Sequence, residues 1–345
     1  MNAHQPSLEL KHLIQKVAGG TALSAVEMRT ALDQMTEGSA TPAQMGAFLM
    51  ALRVRGETVE EITGAAQMMR ARMNPVEVVA GAVDIVGTGG DGTGSFNVST
   101  CAALIAAGAG IKVAKHGNRS VSSLAGASDV LAALGVKLDV PFAIITRSVE
   151  RAGVGFMWAP QHHPAMKHWA PIRGELGIRT IFNLLGPISN PAGVKRQIVG
   201  VFSRDWVEPI AHVLRKLGSE HVWVVHGHDG LDELTTTGAT DVAEVKNGEI
   251  NIFEVTPADA GLAPAKLSDL KGGDATFNAA AIRDVLAGHK TPLRDIAVLN
   301  AAAAAVVADK AADLASGAAL AIRAIETGAA KAALDRLVAV TNGRD

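Results

Sequence analysis

Two glycine- and hydroxyl-rich stretches and one pair of acids carry most of the chemistry this chain could perform. The first stretch runs Gly87-Thr88-Gly89-Gly90-Asp91-Gly92-Thr93-Gly94, then Ser95-Phe96-Asn97-Val98-Ser99-Thr100. Glycines let the backbone approach a phosphate closely and aim N–H groups at it. A helix opening at the end of the stretch presents its positive N-terminal end to the same anion. The second stretch, Lys115-His116-Gly117-Asn118-Arg119-Ser120-Val121-Ser122-Ser123, holds cations, an amide, hydroxyls and a glycine. A basic, hydroxyl-rich loop beside a glycine-rich one suits a ligand with more than one phosphate. The acids are Asp232-Glu233. Next to a phosphate site they make sense as ligands of Mg2+, which takes carboxylate and hydroxyl oxygens. An acid pair is also common as bare surface charge.

Two other patterns carry less. Gly87, Gly89 and Gly92 satisfy the G-x-G-x-x-G spacing of dinucleotide binders. The next expected strand, however, ends in Lys115-His116, where ribose recognition wants an acid, and the glycine run continues past the point where its helix should begin. His162, His163 and His168 suggest a metal, but His163 and His168 are five apart rather than the three or four that share a helix face. Cys101, at the start of an alanine-rich helix, reads as a small core residue.

These stretches need a frame. The chain to about Asn74 is helical by pattern: Thr41-Pro42 reads as N-cap and first helical residue, Gly56 as a stop, and Thr58 as the next cap before Glu60 and Glu61. From residue 83 short β-branched runs, at 83–86, 111–114, 155–158, 197–202 and 221–226, alternate with amphipathic helices at 128–134, 141–152 and 206–217. Such alternation predicts a mostly parallel sheet covered on both faces. Asn247-Gly248 between two alternating runs predicts an antiparallel hairpin, and the tail from Asn278 reads as alanine-rich helix. The expected fold class is α/β: a small all-helical domain over 1–74 and a large α/β domain with a mostly parallel central sheet over 80–345.

Composition bounds the rest. Hydrophobic residues make up 48% of the 345 and charged residues 19%, which excludes intrinsic disorder. A net charge of −2 argues against a general polyanion binder. One cysteine excludes internal disulfides and fits a reducing compartment. No basic-then-apolar leader pattern and no apolar run of membrane-spanning length are visible, so a soluble, cytoplasmic protein is expected.

In order along the chain, GTGGDGTGSFNVST, KHGNRSVSS, HPAMKHWAPIRGELGIRTIFNLLGPISNPA and GLDEL resemble the anthranilate phosphoribosyltransferases, from the N-terminal helices to the C-terminal tail. The resemblance implies a homodimer of nucleoside-phosphorylase-like fold whose small domain includes an excursion near 175–191. It implies transfer of the phosphoribosyl group of phosphoribosyl pyrophosphate to the amine of anthranilate, with two Mg2+ ions per site, in tryptophan biosynthesis. Carried over by motif, Gly87, Gly90, Asp91, Ser95, Asn97, Val98, Ser99 and Thr100 surround the donor on one side. Lys115, His116, Gly117, Asn118, Arg119, Ser120, Val121, Ser122, Ser123 and Ala127 wrap the other. Ser99, Asp232 and Glu233 hold the metal, while Gly87, Asn118 and Arg173 meet anthranilate, Arg173 pairing with its carboxylate. Position 95 is serine where many relatives have threonine, and both supply a hydroxyl.

Lys115, Arg119 and His116 are the expected catalytic residues. The two cations stabilise departing pyrophosphate, and His116 is open either as a proton acceptor or as a packing partner of anthranilate. The three histidines at 162, 163 and 168 fall in a family motif, which favours lining the aromatic substrate's route. Two rivals stand beside this reading. A pyrimidine nucleoside phosphorylase would use free phosphate and leave the acid pair without its metal. A non-catalytic nucleic-acid-binding relative would show a basic surface, which the net charge does not support.

Overall fold

The protein is described from a computed structural model covering residues 10–119 and 124–344. It divides into two compact units, one made of residues 1–73 and 163–189, the other of 74–162 and 190–345. The helical unit therefore takes its second segment from His163 onward, earlier than the stretch near 175–191 expected from sequence.

The helical unit opens with α1 (Leu10–Ala18), α2 (Ala25–Thr36), α3 (Pro42–Arg55) and α4 (Val59–Ala71). Each helix after the first starts at a hydroxyl residue whose side chain accepts an N–H three residues on. Ser24 pairs with Glu27, Thr41 with Gln44 and Thr58 with Glu61, each a reciprocal capping box. Pro42 fills the first turn of α3 and Gly56, at φ 90°, ends it. Glu61 does more than cap. Fully buried, it accepts Leu23 N–H (2.9 Å), Thr58 N–H (2.9 Å) and the Thr58 hydroxyl (2.9 Å), and it pairs with Arg55.

The α/β unit begins with β1 (Val83–Gly87), α5 (Val98–Gly108), β2 (Val113–Gly117), α6 (Ala127–Ala133), α7 (Phe142–Ala152), β3 (Val154–Trp158) and α8 (Ala159–His162). The chain then returns to the helical unit for α9 (Met166–Leu176) and α10 (Phe182–Leu185). It resumes with β4 (Arg196–Gly200), α11 (Val207–Lys216), β5 (His221–Gly227), β6 (Thr240–Lys246) and β7 (Glu249–Val255). Four helices finish the chain: α12 (Ala275–Leu286), α13 (Pro292–Val307), α14 (Leu314–Glu326) and α15 (Ala329–Thr341).

The seven strands form one sheet in the order β3-β2-β1-β4-β5-β6-β7. The first five are parallel and the last two join antiparallel through the Asn247-Gly248 turn, whose φ values are 52° and 83°. Strand order runs one way from β1 to β3 and the other way from β4 onward. The carboxyl ends of β1 and β4 therefore form a topological switch point, the usual ligand crevice of such sheets.

Alanine does the packing behind that crevice. Nearly every residue of α13 is buried, and a Cβ on Gly317 of α14 would fall 2.6 Å from the Ala302 carbonyl oxygen, so the two helices meet backbone to backbone. Cys101 is a fully buried core residue in α5. Among the described residues no helix is long and apolar enough to cross a membrane.

Candidate active site

At the end of β1 the backbone turns through Gly89, Gly90, Gly92 and Gly94, all in the left-handed region that glycine enters without strain. The stretch ends at Asn97, where α5 begins. The loop after β5 folds over both strand ends of the switch point. A Cβ on Gly200, the last residue of β4, would lie 1.6 Å from the Asp232 carbonyl oxygen. One on Gly87, the last residue of β1, would lie 2.4 Å from Asp232 Oδ2. Only side-chain-free strand ends leave room for this loop.

The acid pair grips the glycine stretch at both ends. Gly89 N–H donates to Asp232 Oδ2 at 2.6 Å, and Ser99 N–H donates to Glu233 Oε1 at 3.2 Å. Glu233 thus supplies the acceptor at the N-terminus of α5, where negative charge is favoured. Asp91 accepts the Thr93 hydroxyl (2.7 Å) within the loop. Burial pushes Asp232 up to about 7, with Asp91 adding to the rise, and pushes Glu233 up to about 8, with Asp232 adding. Each of the two is only 8% exposed. Three carboxylates crowd here against one buried ammonium, a donor set suited to a hard divalent cation.

That ammonium belongs to Lys115, and here the sequence expectation needs correction. The sequence pattern puts residues 115–117 in a loop after a strand at 111–114. Instead they are the last three residues of β2, paired with Phe156, Met157 and Trp158 of β3. The polar residues stay in the strand because the sheet interior satisfies them. Lys115 Nζ donates to Ile85 O (2.6 Å) and Ser99 Oγ (3.1 Å), and His116 N–H donates to Asp84 Oδ1 (3.2 Å). Burial lowers the Lys115 ammonium while Asp84, Glu233 and Asp232 oppose that drop. Asp84, fully buried, is pushed up to about 6 by desolvation, with Lys115 and the 2.7 Å bond from Asn190 Nδ2 holding it down.

The second loop proper starts at Asn118. Asn118 and Arg119 are exposed, and the Arg119 guanidinium lies 5.8 Å over the Trp158 ring and 3.7 Å from Asp129. Ser120, Val121, Ser122 and Ser123 lie outside the described residues. Downstream, Ser128 N–H reaches Asn118 O (3.4 Å), Ala127 opens α6, and Asn97 Nδ2 donates to Ala125 O at 3.2 Å. The glycine stretch and the second loop are therefore neighbours. Val98 and Thr100 are buried in α5, Val98 N–H donating to Phe96 O (2.7 Å), whereas Ser95 bridges to Lys271.

Arg173 stands on α9 of the helical unit, its guanidinium 5.5 Å over the Phe182 ring and lowered by burial. His168 is exposed in the same helix. His162, in the α/β unit, stacks on Phe142 at 4.7 Å with Nδ1 2.9 Å from Asn74 O.

Sequence reasoning passed over several residues that build this site. Asn300 of α13, fully buried, accepts Leu234 N–H (3.1 Å) and donates to Leu234 O (2.8 Å), fastening the backbone directly after Glu233. Gly200, Asp84, Asn190 and the segment 270–278 were not singled out either. The one available signal was an asparagine inside an alanine run, since a lone buried amide must find partners.

Family models match both units: "Glycosyl transferase family, helical bundle domain" over residues 11–73 and "Glycosyl transferase family, a/b domain" over 79–331. A Rhodopseudomonas palustris anthranilate phosphoribosyltransferase is 62% identical over 334 residues, covering 97% of this chain and 99% of that protein. The chain belongs to the anthranilate phosphoribosyltransferase family. Solved anthranilate phosphoribosyltransferases share the architecture. That of Thermus thermophilus matches with a TM-score of 0.90 at 43% identity, over 96% of this chain and 99% of that one. That of Saccharomyces cerevisiae, in complex with PRPP and Mg, matches with a TM-score of 0.88 at 29% identity, over 97% and 98%. Members of this family are glycosyltransferases, and the small helical domain plus mostly parallel α/β domain expected from sequence is the architecture found.

Proposed function

We propose that the chain transfers the phosphoribosyl group of phosphoribosyl pyrophosphate to the amine of anthranilate. The products are N-(5-phosphoribosyl)anthranilate and pyrophosphate, and the step belongs to tryptophan biosynthesis. The observation that carries this is the acid pair bonded to both ends of the glycine stretch at the sheet's switch point, Asp232 to Gly89 and Glu233 to Ser99. The yeast relative's complexes with PRPP and Mg and with 4-fluoroanthranilate support it.

The donor's phosphates and ribose meet Gly87, Gly90, Asp91, Ser95 and Asn97–Thr100 on one side, and Gly117–Arg119 with Ala127 on the other. Ser99, Asp232 and Glu233 would hold Mg2+, two ions per site, which when bound would supply positive charge against departing pyrophosphate. Exposed Arg119 faces the same departing charge. Lys115, too buried to reach a substrate freely, balances the acids and holds the Ser99 hydroxyl. The nitrogen lone pair of anthranilate, neutral at pH 7, forms the new bond as the anomeric carbon–oxygen bond breaks. The proton then leaves the cationic nitrogen for water or departing pyrophosphate, so no strong base is required. His116, buried in β2, is assigned to holding the strand end rather than to proton transfer. Gly87, Asn118 and Arg173 receive anthranilate, with Arg173 pairing with the carboxylate. We place the enzyme in the cytoplasm as a homodimer, the assembly that the family resemblance implies. Sedimentation velocity checks the dimer.

One assay tests the whole reading. Anthranilate fluorescence should disappear only when phosphoribosyl pyrophosphate and Mg2+ are both present. Metal-independent phosphorolysis of a pyrimidine nucleoside would instead move the chain to the phosphorylases.

A further inference from the structure

Asn278, in the first turns of α12, is 2% exposed and its amide is fully committed. Its Oδ1 accepts Gly273 N–H at 2.9 Å, and its Nδ2 donates to Gly273 O at 3.1 Å and to Asn97 Oδ1 at 2.8 Å. Asn97 Nδ2 in turn donates to Ala125 O at 3.2 Å. A backbone N–H can only donate and a carbonyl can only accept. Gly273 at one end and Ala125 at the other therefore impose a single polarity on both side-chain amides.

The three segments joined are the strap before α12, the end of the glycine stretch, and the approach to α6 that follows the second phosphate-facing loop. Asn97 is free for this task because it makes no side-chain cap on α5; Glu233 accepts from that helix end instead. The strap is itself seated on the glycine stretch. Phe96 N–H donates to Leu270 O (3.0 Å), Gly272 N–H to Gly94 O (2.9 Å), and Lys271 Nζ to Thr93 O. A Cβ on Gly272 would lie 2.7 Å from Phe96 Cα, so the seat is tight.

We infer that Asn278 is a positioning residue for the donor site. It orients the Asn97 amide and thereby sets the spacing between the glycine stretch and the second loop. The inference rests on the donor assignment made under Proposed function.

The decisive variant is Asn278→Asp. It keeps an acceptor for Gly273 N–H but offers Asn97 Oδ1 no donor, so the Asn97 amide turns over and its Nδ2 leaves Ala125 O. The dissociation constant of phosphoribosyl pyrophosphate with Mg2+, read by calorimetry, and its KM should each rise about tenfold, the scale of one buried unmet hydrogen bond. The KM for anthranilate should move less than about twofold on the same scale. Hydrogen exchange at the amides of residues 125–127 should quicken. Asn278→Ser, which removes the amide without adding charge, should shift the same quantities in the same direction by less. If the aspartate variant fails to fold, the serine variant decides by the same criteria.

A folded variant with unchanged donor affinity and unchanged exchange would overturn the inference, as would equal rises in both KM values, the mark of general loosening. A wild-type protein that binds no phosphoribosyl pyrophosphate would defeat the donor assignment instead. The exchange measurement would then still judge the amide relay.

Discussion

Gly200 lacks a side chain because the Asp232 carbonyl oxygen occupies the space where one would stand, 1.6 Å from the position a Cβ would take. Gly200→Ala must displace the backbone that carries the acid pair. A misplacement of about 1 Å at reacting groups can cost about a hundredfold. We therefore expect kcat/KM to fall at least that far, with a lower Tm; wild-type kinetics in steady-state assays would show that the position of this loop does not matter. Arg173 offers a complementary test on the other unit. Losing a charge-assisted hydrogen bond costs about 1.5–3 kcal/mol, so Arg173→Ala should raise the anthranilate KM roughly ten- to hundredfold. The donor KM should change little, and equal losses toward both substrates would count against the carboxylate assignment. In contrast, Asp232→Asn with Glu233→Gln should weaken metal-dependent use of the donor.

Among the elements, the capped helices of the small unit differ in how much rests on each cap. Thr41 caps α3 at an exposed site, and Thr41→Ala should cost about 1 kcal/mol. Glu61 caps α4 while fully buried and paired with Arg55. Glu61→Ala therefore leaves the half-buried Arg55 guanidinium without its counter-ion, held by the Thr21 and Gly56 carbonyls, and the Leu23 N–H unmet. Breaking a buried pair from one side costs about 3–5 kcal/mol, and urea unfolding of the two variants should separate them clearly. The caps at Thr41 and Thr58 were legible because capping is local, and so was the hairpin at Asn247-Gly248. The strands at 83, 154, 196 and 221 followed from short β-branched runs. The second strand slid two residues because Lys115 and His116 look like loop residues until Asp84, Ile85 and Ser99 are in place around them. The clamps were hidden for the same reason. Asn300 acts on Leu234 across 66 residues and Asn278 on Asn97 across 181, and no local pattern encodes such pairings.

For the whole molecule the buried carboxylates set a dependence on pH. Asp84, Asp232 and Glu233 stand at about 6, 7 and 8, above their ordinary range near 4, so the folded state binds these protons more tightly than the unfolded one. Stability from such groups is complete below the ordinary range and is lost as pH rises through about 6 to 8. Glu244 and Asp309 act oppositely. Despite desolvation, Trp223 and His221 hold Glu244 low, and Arg196 and His221 hold Asp309 low, so their contribution is lost as pH falls. The metal-free protein should therefore melt at a lower temperature near pH 8.5 than near pH 5.5, these being roughly the two sides of that window. Mg2+ should restore more at the alkaline end, since its carboxylate ligands must shed their protons. A Tm that ignores pH, or an equal response to Mg2+ at both ends, would contradict the crowding of acids at the switch point.

The amides of Gly89 and Ser99, in the stretch proposed to meet the donor's phosphates, each already rest on a carboxylate oxygen of the protein's own. A solitary inorganic phosphate or sulfate meets satisfied donors and, once pH rises past about 8 and both acids are ionised, two repelling neighbours of its own sign. On the proposed donor assignment, simple salts should be poor competitors, and discrimination in favour of a sugar diphosphate arriving with its counter-ions would rest on two backbone hydrogen bonds.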